Sequence, residues 1–155
     1  MRPLFTLALL ALASGTASAG GFRLFFDDGW TDEYDSRRAH FKRSSCRELD
    51  DVANFSLDKR AIARLKEKVR QVRFFDLPKR LNRNSDGETI MVCGPCPDSR
   101  LTIELGFSSR TIEWNCDCDN YDDPKELAPL LKELRDILYA APQIAKLPRS
   151  SCAFY

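Results

Sequence analysis

The chain has 155 residues, of which 43% are hydrophobic and 30% are charged, and its 24 basic residues nearly balance its 23 acidic ones. This composition is typical of a folded domain with a real core and excludes a low-complexity protein. Because the formal net charge is only +1, the overall charge favours no particular class of partner.

The N-terminus is typical of an export signal. Arg2 supplies a positive start, residues 4–13 are mostly apolar, and Ala17-Ser18-Ala19 has the small-x-small pattern that signal peptidase accepts. Gly15 interrupts the apolar run well before the roughly 20 residues that a membrane span needs. We therefore predict cleavage before Gly20, a periplasmic or secreted mature protein, and no transmembrane segment.

The predicted domain organisation is a signal peptide over residues 1–19 and a single α+β domain over residues 20–155. A domain of roughly 136 residues suits one hydrophobic core and leaves little room for two. Arg2 is removed with the signal, so the basic and acidic residues of the mature chain are equal in number.

The first half of the mature chain predicts strands. Residues 22–26 alternate between apolar and more polar positions up to the turn dipeptide Asp28-Gly29, which indicates a strand entering a turn. One or two further short strands are predicted around residues 39–41 and 52–54. The charged segment between the first strand and residue 39 carries no clear pattern.

The first predicted helix has Ser56 as its N-cap and Asp58 in its first turn. Its apolar residues follow at helical spacing: Ile62, Leu65, Val69 and Val72. Basic residues occupy the other faces, which favours an ordinary solvated face over contact with an acidic partner. No nucleic-acid partner is predicted, because aromatic side chains are not interleaved with these charges.

A β-hairpin follows, and a second helix completes the plan. The apolar positions of the hairpin alternate at Leu101, Ile103, Leu105, Ile112 and Trp114. A turn at Ser108-Ser109 would place Leu105 opposite Ile112.

In the second helix Asp123 is the predicted N-cap, and a leucine-rich stripe runs until Pro142. The predicted fold class is α+β: an antiparallel sheet with two amphipathic helices packed on one face, stapled by disulfides.

The cysteines are the candidate site residues: Cys46, Cys93, Cys96, Cys116, Cys118 and Cys152. An even number of cysteines in an exported chain favours disulfides. With the turn described above, Leu101 faces Cys116, so one or two disulfides would staple the base of the hairpin. Cys46 and Cys152 would form a third. The spacing alone leaves the connectivity open.

Two alternatives for the same cysteines stay open. Cys93-Gly94-Pro95-Cys96 has the spacing of thiol-disulfide oxidoreductases, in which the first thiol lies at a helix N-terminus, but a strand follows here. A structural zinc site could use both pairs, Cys93 with Cys96 and Cys116 with Cys118. Otherwise no metal, cofactor or catalytic residue is predicted. His40 is the only histidine and lies in a charged strand, which favours a surface role.

The order of these elements resembles a known family. The first helix ends in Val72-Arg73-Phe74-Phe75-Asp76-Leu77-Pro78, and Pro97-Asp98 leads into the hairpin before the leucine-rich helix. Over residues 56–140 this layout is similar to that of emfourin-type inhibitors of thermolysin-like metalloproteases. The resemblance implies a non-enzymatic binding or inhibitor domain with a protein partner. The signal peptide, the cysteines and the charged N-terminal section depart from that family, so the resemblance assigns no inhibitory residue.

Overall fold

The structure is a computed structural model that describes residues 21–46, 49–81, 97–115 and 123–152. The predicted signal peptide and its cleavage site lie outside these residues. The strands are β1 (Arg23–Asp27), β2 (Asp32–Asp35), β3 (His40–Arg43), β4 (Asp51–Asn54), β5 (Arg80–Leu81), β6 (Ser99–Leu105) and β7 (Ser108–Trp114). The helices are α1 (Lys59–Gln71), α2 (Ala128–Ala140) and α3 (Pro142–Ala145), with a 3₁₀ turn at Phe74–Asp76.

All the described strands belong to one seven-stranded sheet with the order β4-β3-β2-β1-β6-β7-β5. The first four strands form an antiparallel meander, and α1 then carries the chain to the opposite edge. There β5 pairs with β7 in parallel over only two residues. The antiparallel hairpin β6–β7 fills the space between β1 and β5. The α+β prediction is confirmed, with the short parallel strand as an addition.

The core lies between one face of the sheet and the helices. Leu24 and Phe26 of β1 point to this face, and they join Leu65 of α1 and Leu134 of α2 in one buried cluster. Side chains alternate across a strand, so the charged residues between the apolar ones lie on the opposite, solvated face. Across the part of the chain that the structure describes, no helix has the length and hydropathy needed to span a membrane.

β2 was not predicted, because Asp32-Glu33-Tyr34-Asp35 is an acidic sequence with little strand propensity. Its two inward-facing residues, Asp32 and Tyr34, are both buried. The Tyr34 hydroxyl donates to the carbonyl of Phe55 (3.1 Å), and Asp32 lies opposite Arg43 in the strand register. Tertiary partners therefore stabilise a strand that local propensity does not favour.

Both predicted helix caps are wrong. Asp58, rather than Ser56, caps α1, and its Oδ1 accepts a hydrogen bond from the Ala61 amide (2.7 Å). α2 begins only at Ala128, and Asp123 forms an ion pair with Arg135 of α2 instead of capping the helix (Nη2 to Oδ1 2.9 Å). Local sequence rules favour both residues as caps and do not show which of them finds a different partner in the folded chain.

The register of the β6–β7 hairpin also differs from the prediction. The turn is at Gly106-Phe107 rather than Ser108-Ser109, so Leu105 pairs with Ser108 and Leu101 pairs with Ile112. Gly106 has a positive φ of 64°, which suits the first position of a two-residue hairpin turn. The predicted pairing of Leu101 with Cys116 is therefore wrong. The shift is an even number of residues, so the same side chains still face the core.

Two glycines of the described residues have a positive φ, and they allow a matched test of backbone strain. Gly29 has φ of 76°, and a Cβ there would lie 2.9 Å from the Asp98 carbonyl oxygen, whereas a Cβ at Gly106 would meet nothing within 4 Å. We expect Gly106→Ala to lower the free energy of unfolding by about 1 kcal/mol from left-handed strain alone. Gly29→Ala should cost roughly 1 kcal/mol more because of the clash. Urea denaturation measures both, and equal losses would contradict the close packing of Gly29 on Asp98.

Candidate interaction surface

The structure joins two of the six candidate cysteines. Cys46 and Cys152 form a disulfide with a Cα–Cα distance of 5.0 Å across a sequence separation of 106 residues. The remaining candidates, Cys93, Cys96, Cys116 and Cys118, lie outside the described residues. The oxidoreductase and zinc alternatives concern only those four residues, so they stay predictions.

The disulfide is one of several contacts that hold the C-terminal segment against the end of β3. The Ser150 hydroxyl donates to the carbonyl of Ser44 (2.6 Å), and the Ser151 hydroxyl donates to the carbonyl of Ser45. These hydrogen bonds to backbone carbonyls lie beside the disulfide. The segment is therefore held by them as well as by the covalent cross-link.

A buried ion pair lies beneath this segment. Arg43 donates from Nε and Nη2 to the two carboxylate oxygens of Asp32, both at 2.8 Å, and the Tyr139 hydroxyl donates to Oδ2 at 3.0 Å. The side chains of Asp32 and Arg43 are only 5% and 14% exposed. Burial, followed by the charge of Asp32, raises the pKa of Tyr139. Arg43 and Tyr139 both bond to Asp32, so the cluster holds β2, β3 and α2 together.

Asp28 organises the turn that leads into β2, the strand that contains Asp32. Its Oδ1 accepts hydrogen bonds from the backbone amides of Trp30 (2.7 Å), Thr31 (2.8 Å) and Asp32 (3.0 Å). Burial nevertheless raises the pKa of Asp28 above its ordinary value, because the amide bonds only partly offset the loss of hydration.

Asp28→Asn is expected to become increasingly stable relative to the wild type as the pH rises. Asparagine keeps an acceptor oxygen for the three amides and removes the buried charge. In the wild type, unfolded Asp28 releases its proton near its ordinary pKa of 3.8, before the folded form does, so wild-type stability falls as pH rises through that window. Urea denaturation from acidic to neutral pH measures the difference. A difference that is constant over that range would contradict the raised pKa.

Phe107 lies at the apex of the β6–β7 hairpin and points entirely into solvent, with 105% relative exposure. β6 is hydrogen-bonded on both sides, to β1 and to β7, so the sheet holds the base of the hairpin firmly. The following residues, Ser108 and Ser109, are also exposed. The fold therefore presents an exposed aromatic ring on a rigid support.

An open cleft of about 210 Å³ lies on the solvated face of the sheet, close to the hairpin tip. The residues that line it include Arg23, Phe25, Asp35, Arg37, Thr102 and Glu104. Glu104 forms ion pairs with Arg23 (3.5 Å) and with Arg37. The hydrogen bond from Arg37 lowers the pKa of Glu104, so its carboxylate is ionised at neutral pH.

The basic helix α1 is partly neutralised by neighbouring carboxylates. Arg64 pairs with Glu133 of α2, and Arg70 pairs with Glu67 at 2.9 Å. Just beyond the helix, Arg73 pairs with Asp76 at 3.0 Å. These ion pairs fit the interpretation of α1 as a solvated face.

His40 lies in β3 on the solvated face, opposite Asp35 of β2 and Asn54 of β4. This is the surface position in a charged strand that the sequence indicates. Searching the described ranges, 21–46, 49–81, 97–115 and 123–152, reveals no group of three histidine, cysteine or acidic side chains that could hold a metal ion.

The sequence prediction missed Phe107 and the cleft. Gly106-Phe107 could have been recognised as a two-residue turn, because glycine is favoured at the first position of a type II′ hairpin. Recognising that turn would have placed the phenylalanine at the apex. No local signal brings Arg23, Arg37 and Glu104 together, since they meet only through the pairing of β1 with β6 and the turn after β2.

No protein-family model, curated protein or solved structure matches this chain. The hairpin tip and its neighbouring cleft are thus identified by geometry alone.

Proposed function

We propose that this protein is a non-enzymatic, exported binding or inhibitor domain that engages a protein partner through the tip of the β6–β7 hairpin. The observation that carries the proposal is the complete exposure of Phe107. Burying a phenylalanine side chain contributes about 1.5–3 kcal/mol, so an apolar pocket on a partner would gain a large part of its affinity from this ring.

The rigidity of the hairpin supports the same function. Each residue of β6 and β7 is paired across the hairpin, from Ser99 with Trp114 to Leu105 with Ser108. An anchor on a preorganised support loses little conformational entropy when it binds, so more of the burial energy appears as affinity. Only the two-residue turn at Gly106-Phe107 separates the anchor from the sheet.

Export and protease inhibition are the more specific parts of the proposal. The N-terminal signal supports export, and the disulfide between Cys46 and Cys152 is of the kind that persists in oxidising compartments. The resemblance of residues 56–140 to emfourin-type inhibitors supports an exported thermolysin-like metalloprotease as the partner.

The experiment compares wild type, Phe107→Ala and a matched control, Leu49→Ala. Leu49 is also a strongly exposed apolar residue (83%), but it lies beside the disulfide rather than on the hairpin. Proteins from the exported fraction of the source cells are captured on each variant, and the Kd of a captured and purified partner is then measured. Phe107→Ala should weaken binding by about 10- to 100-fold, and Leu49→Ala should leave it unchanged.

Retention of full affinity by Phe107→Ala would overturn the hairpin as the binding element. Capture of no protein by the wild type would overturn the binding function itself. Inhibition of thermolysin by the wild type, measured in parallel, tests whether the protein is a protease inhibitor. Absence of inhibition would overturn that part of the proposal. Circular dichroism should show all variants folded, because Phe107 makes no core contact.

A further inference from the structure

We infer that the protein partner adds an extended segment to the open outer edge of β7, beside the Phe107 anchor, by β-strand pairing. The inference rests on the proposed function, because it states how the same partner continues from the hairpin tip onto the sheet. It follows from backbone groups of β7 that the described part of the fold leaves without a hydrogen-bond partner.

The outer edge of β7 is covered by β5 only at its far end. The two strands pair at two positions, Arg80 with Glu113 and Leu81 with Trp114. The Glu113 amide donates to the carbonyl of Lys79 (2.8 Å), and within the described ranges no backbone bond between these two segments lies nearer the hairpin tip. Residues 108–112 therefore form an open stretch of sheet edge between the tip and β5.

The register of the hairpin shows which backbone groups point outward from this edge. In an antiparallel ladder, every second residue directs its amide and carbonyl to the neighbouring strand, and the residues between direct theirs away. Glu113 directs its amide away from β6, so Ser109 and Thr111 do the same. A two-residue turn closes with a hydrogen-bonded pair, which gives the same alternation. Two amides and two carbonyls of Ser109 and Thr111 therefore face outward.

The segment that precedes β5 does not take up these groups. The carbonyl of Leu77 accepts a hydrogen bond from the Arg110 side chain instead of from a β7 amide. Pro78 follows and has no amide to donate. Among the residues that the structure describes, none forms a backbone hydrogen bond with Ser109 or Thr111 on the outer side of β7.

The side chains beside the edge leave it accessible. Ser108 and Ser109 carry small, exposed side chains. Arg110 is paired with the inward-facing Ile103, so its guanidinium lies on the core side of the strand and does not cross the edge. Outward amides and carbonyls at alternate residues match the backbone of another extended segment, and this complementarity selects a strand as the ligand.

The edge continues directly from the anchor. Ser109 is two residues from Phe107, which corresponds to about 7 Å along a strand at ~3.4 Å per residue. The added segment is short, because β5 occupies the edge from Glu113 onward. A partner that presents an extended segment next to an apolar pocket would therefore engage both the edge and the ring.

Hydrogen exchange of the full mature protein, measured by ¹H–¹⁵N NMR, tests the edge without any substitution. The amides of Ser109 and Thr111 should exchange at least ~10-fold faster than those of Arg110 and Ile112, which point to β6. A short acetylated peptide of alternating threonine and valine is the probe. It should slow the exchange of Ser109 and Thr111 in a saturable way. The same peptide methylated at its backbone nitrogens is the matched control and should leave that exchange unchanged.

A proline variant tests the edge in the complex with the captured partner. Ser109→Pro removes an outward amide that β6 does not use, and it should weaken partner binding by about 10-fold or more. Val52→Pro is the matched control on β4, the opposite edge of the sheet. The Phe55 amide donates to the Ala39 carbonyl, so Val52 also directs its amide away from its neighbouring strand. Val52→Pro should leave partner binding unchanged.

Three results would each contradict the inference. The first is equal exchange of the four amides in the free protein, and the second is equal protection by the methylated and unmethylated peptides. The third is a Kd for the partner that Ser109→Pro does not change. The amide spectrum of each variant shows that it remains folded, and the exchange measurement on the wild type decides the matter if Ser109→Pro does not fold.

Failure of this inference is distinguishable from failure of the proposed function. If the partner tolerates Phe107→Ala but not Ser109→Pro, the aromatic anchor is wrong and strand pairing at β7 stands. If the partner needs Phe107 but tolerates Ser109→Pro, only the inference about the edge of β7 is wrong.

Discussion

Replacement of both Cys46 and Cys152 by serine is expected to lower the free energy of unfolding by about 4.7 kcal/mol, the value for a cross-link that closes a loop of ~100 residues. The disulfide joins residues 106 positions apart, so in the unfolded state it restricts all the chain from β4 to the C-terminal segment. Small domains have a net stability of about 5–15 kcal/mol, and this loss would remove a large part of it. Urea denaturation of the oxidised proteins measures the difference.

Ser150→Ala is the control for this prediction. It removes the hydrogen bond to the Ser44 carbonyl (2.6 Å) but keeps the cross-link, so it should cost about 1 kcal/mol. The wild type loses two hydrogens when this disulfide forms, and the double serine variant cannot form it. The intact mass measured without reductant should therefore show two fewer hydrogens lost in the variant. A double variant that is no less stable than Ser150→Ala would show that the cross-link contributes nothing beyond local contacts.

Arg43→Met is expected to destabilise the protein by about 3–5 kcal/mol, because it leaves the buried carboxylate of Asp32 without its cation. Asp32 would keep the Tyr139 hydroxyl (3.0 Å) and the Thr31 hydroxyl (3.1 Å) as partners, but neutral donors do not replace a two-point guanidinium. Methionine retains most of the length of the arginine stem, so the loss of packing is small. Thermal or urea unfolding measures the effect.

Two further variants separate the unpaired charge from other effects. Asp32→Leu/Arg43→Met removes both charges and should recover most of the stability lost in Arg43→Met, since an apolar pair carries no desolvation cost. Tyr139→Phe should cost about 1–1.5 kcal/mol for one hydrogen bond. If the double variant is less stable than Arg43→Met alone, the destabilisation does not come from an isolated buried charge.

Much of the fold follows from local patterns. The alternation at Leu24 and Phe26 and again at Leu101 and Ile103 predicted strands whose apolar side chains do face the helices. The stripe through Leu134 likewise predicted the buried face of α2. These predictions hold because strand and helix periods repeat every few residues and need no information about distant contacts.

Two of the errors have a different physical origin. β2 is stabilised by Arg43 and by Tyr34 packing, which its acidic sequence does not reveal. Asp123 pairs with Arg135 of α2 rather than capping the helix. In each case a polar side chain takes a partner from another secondary-structure element. Energies of individual polar contacts are small and context-dependent, so local rules cannot rank the choices.

The candidate site was accessible from sequence only in part. Phe107 follows a glycine suited to a hairpin turn, so its place at the apex is a local property that a better choice of turn would have found. The cleft is different, because its charges come from β1, the turn after β2 and β6.

By itself, therefore, the sequence determined which side chains enter the core and which class of fold they build, because side-chain periodicity is a property of a few neighbouring residues. The pairing of Cys46 with Cys152 was one of several that the sequence allowed, and the structure selects it. Only the tertiary structure decided that Asp32 is buried against Arg43 and that Glu104 faces two arginines. Those contacts depend on strand order and register, which are set by the packing of the whole sheet.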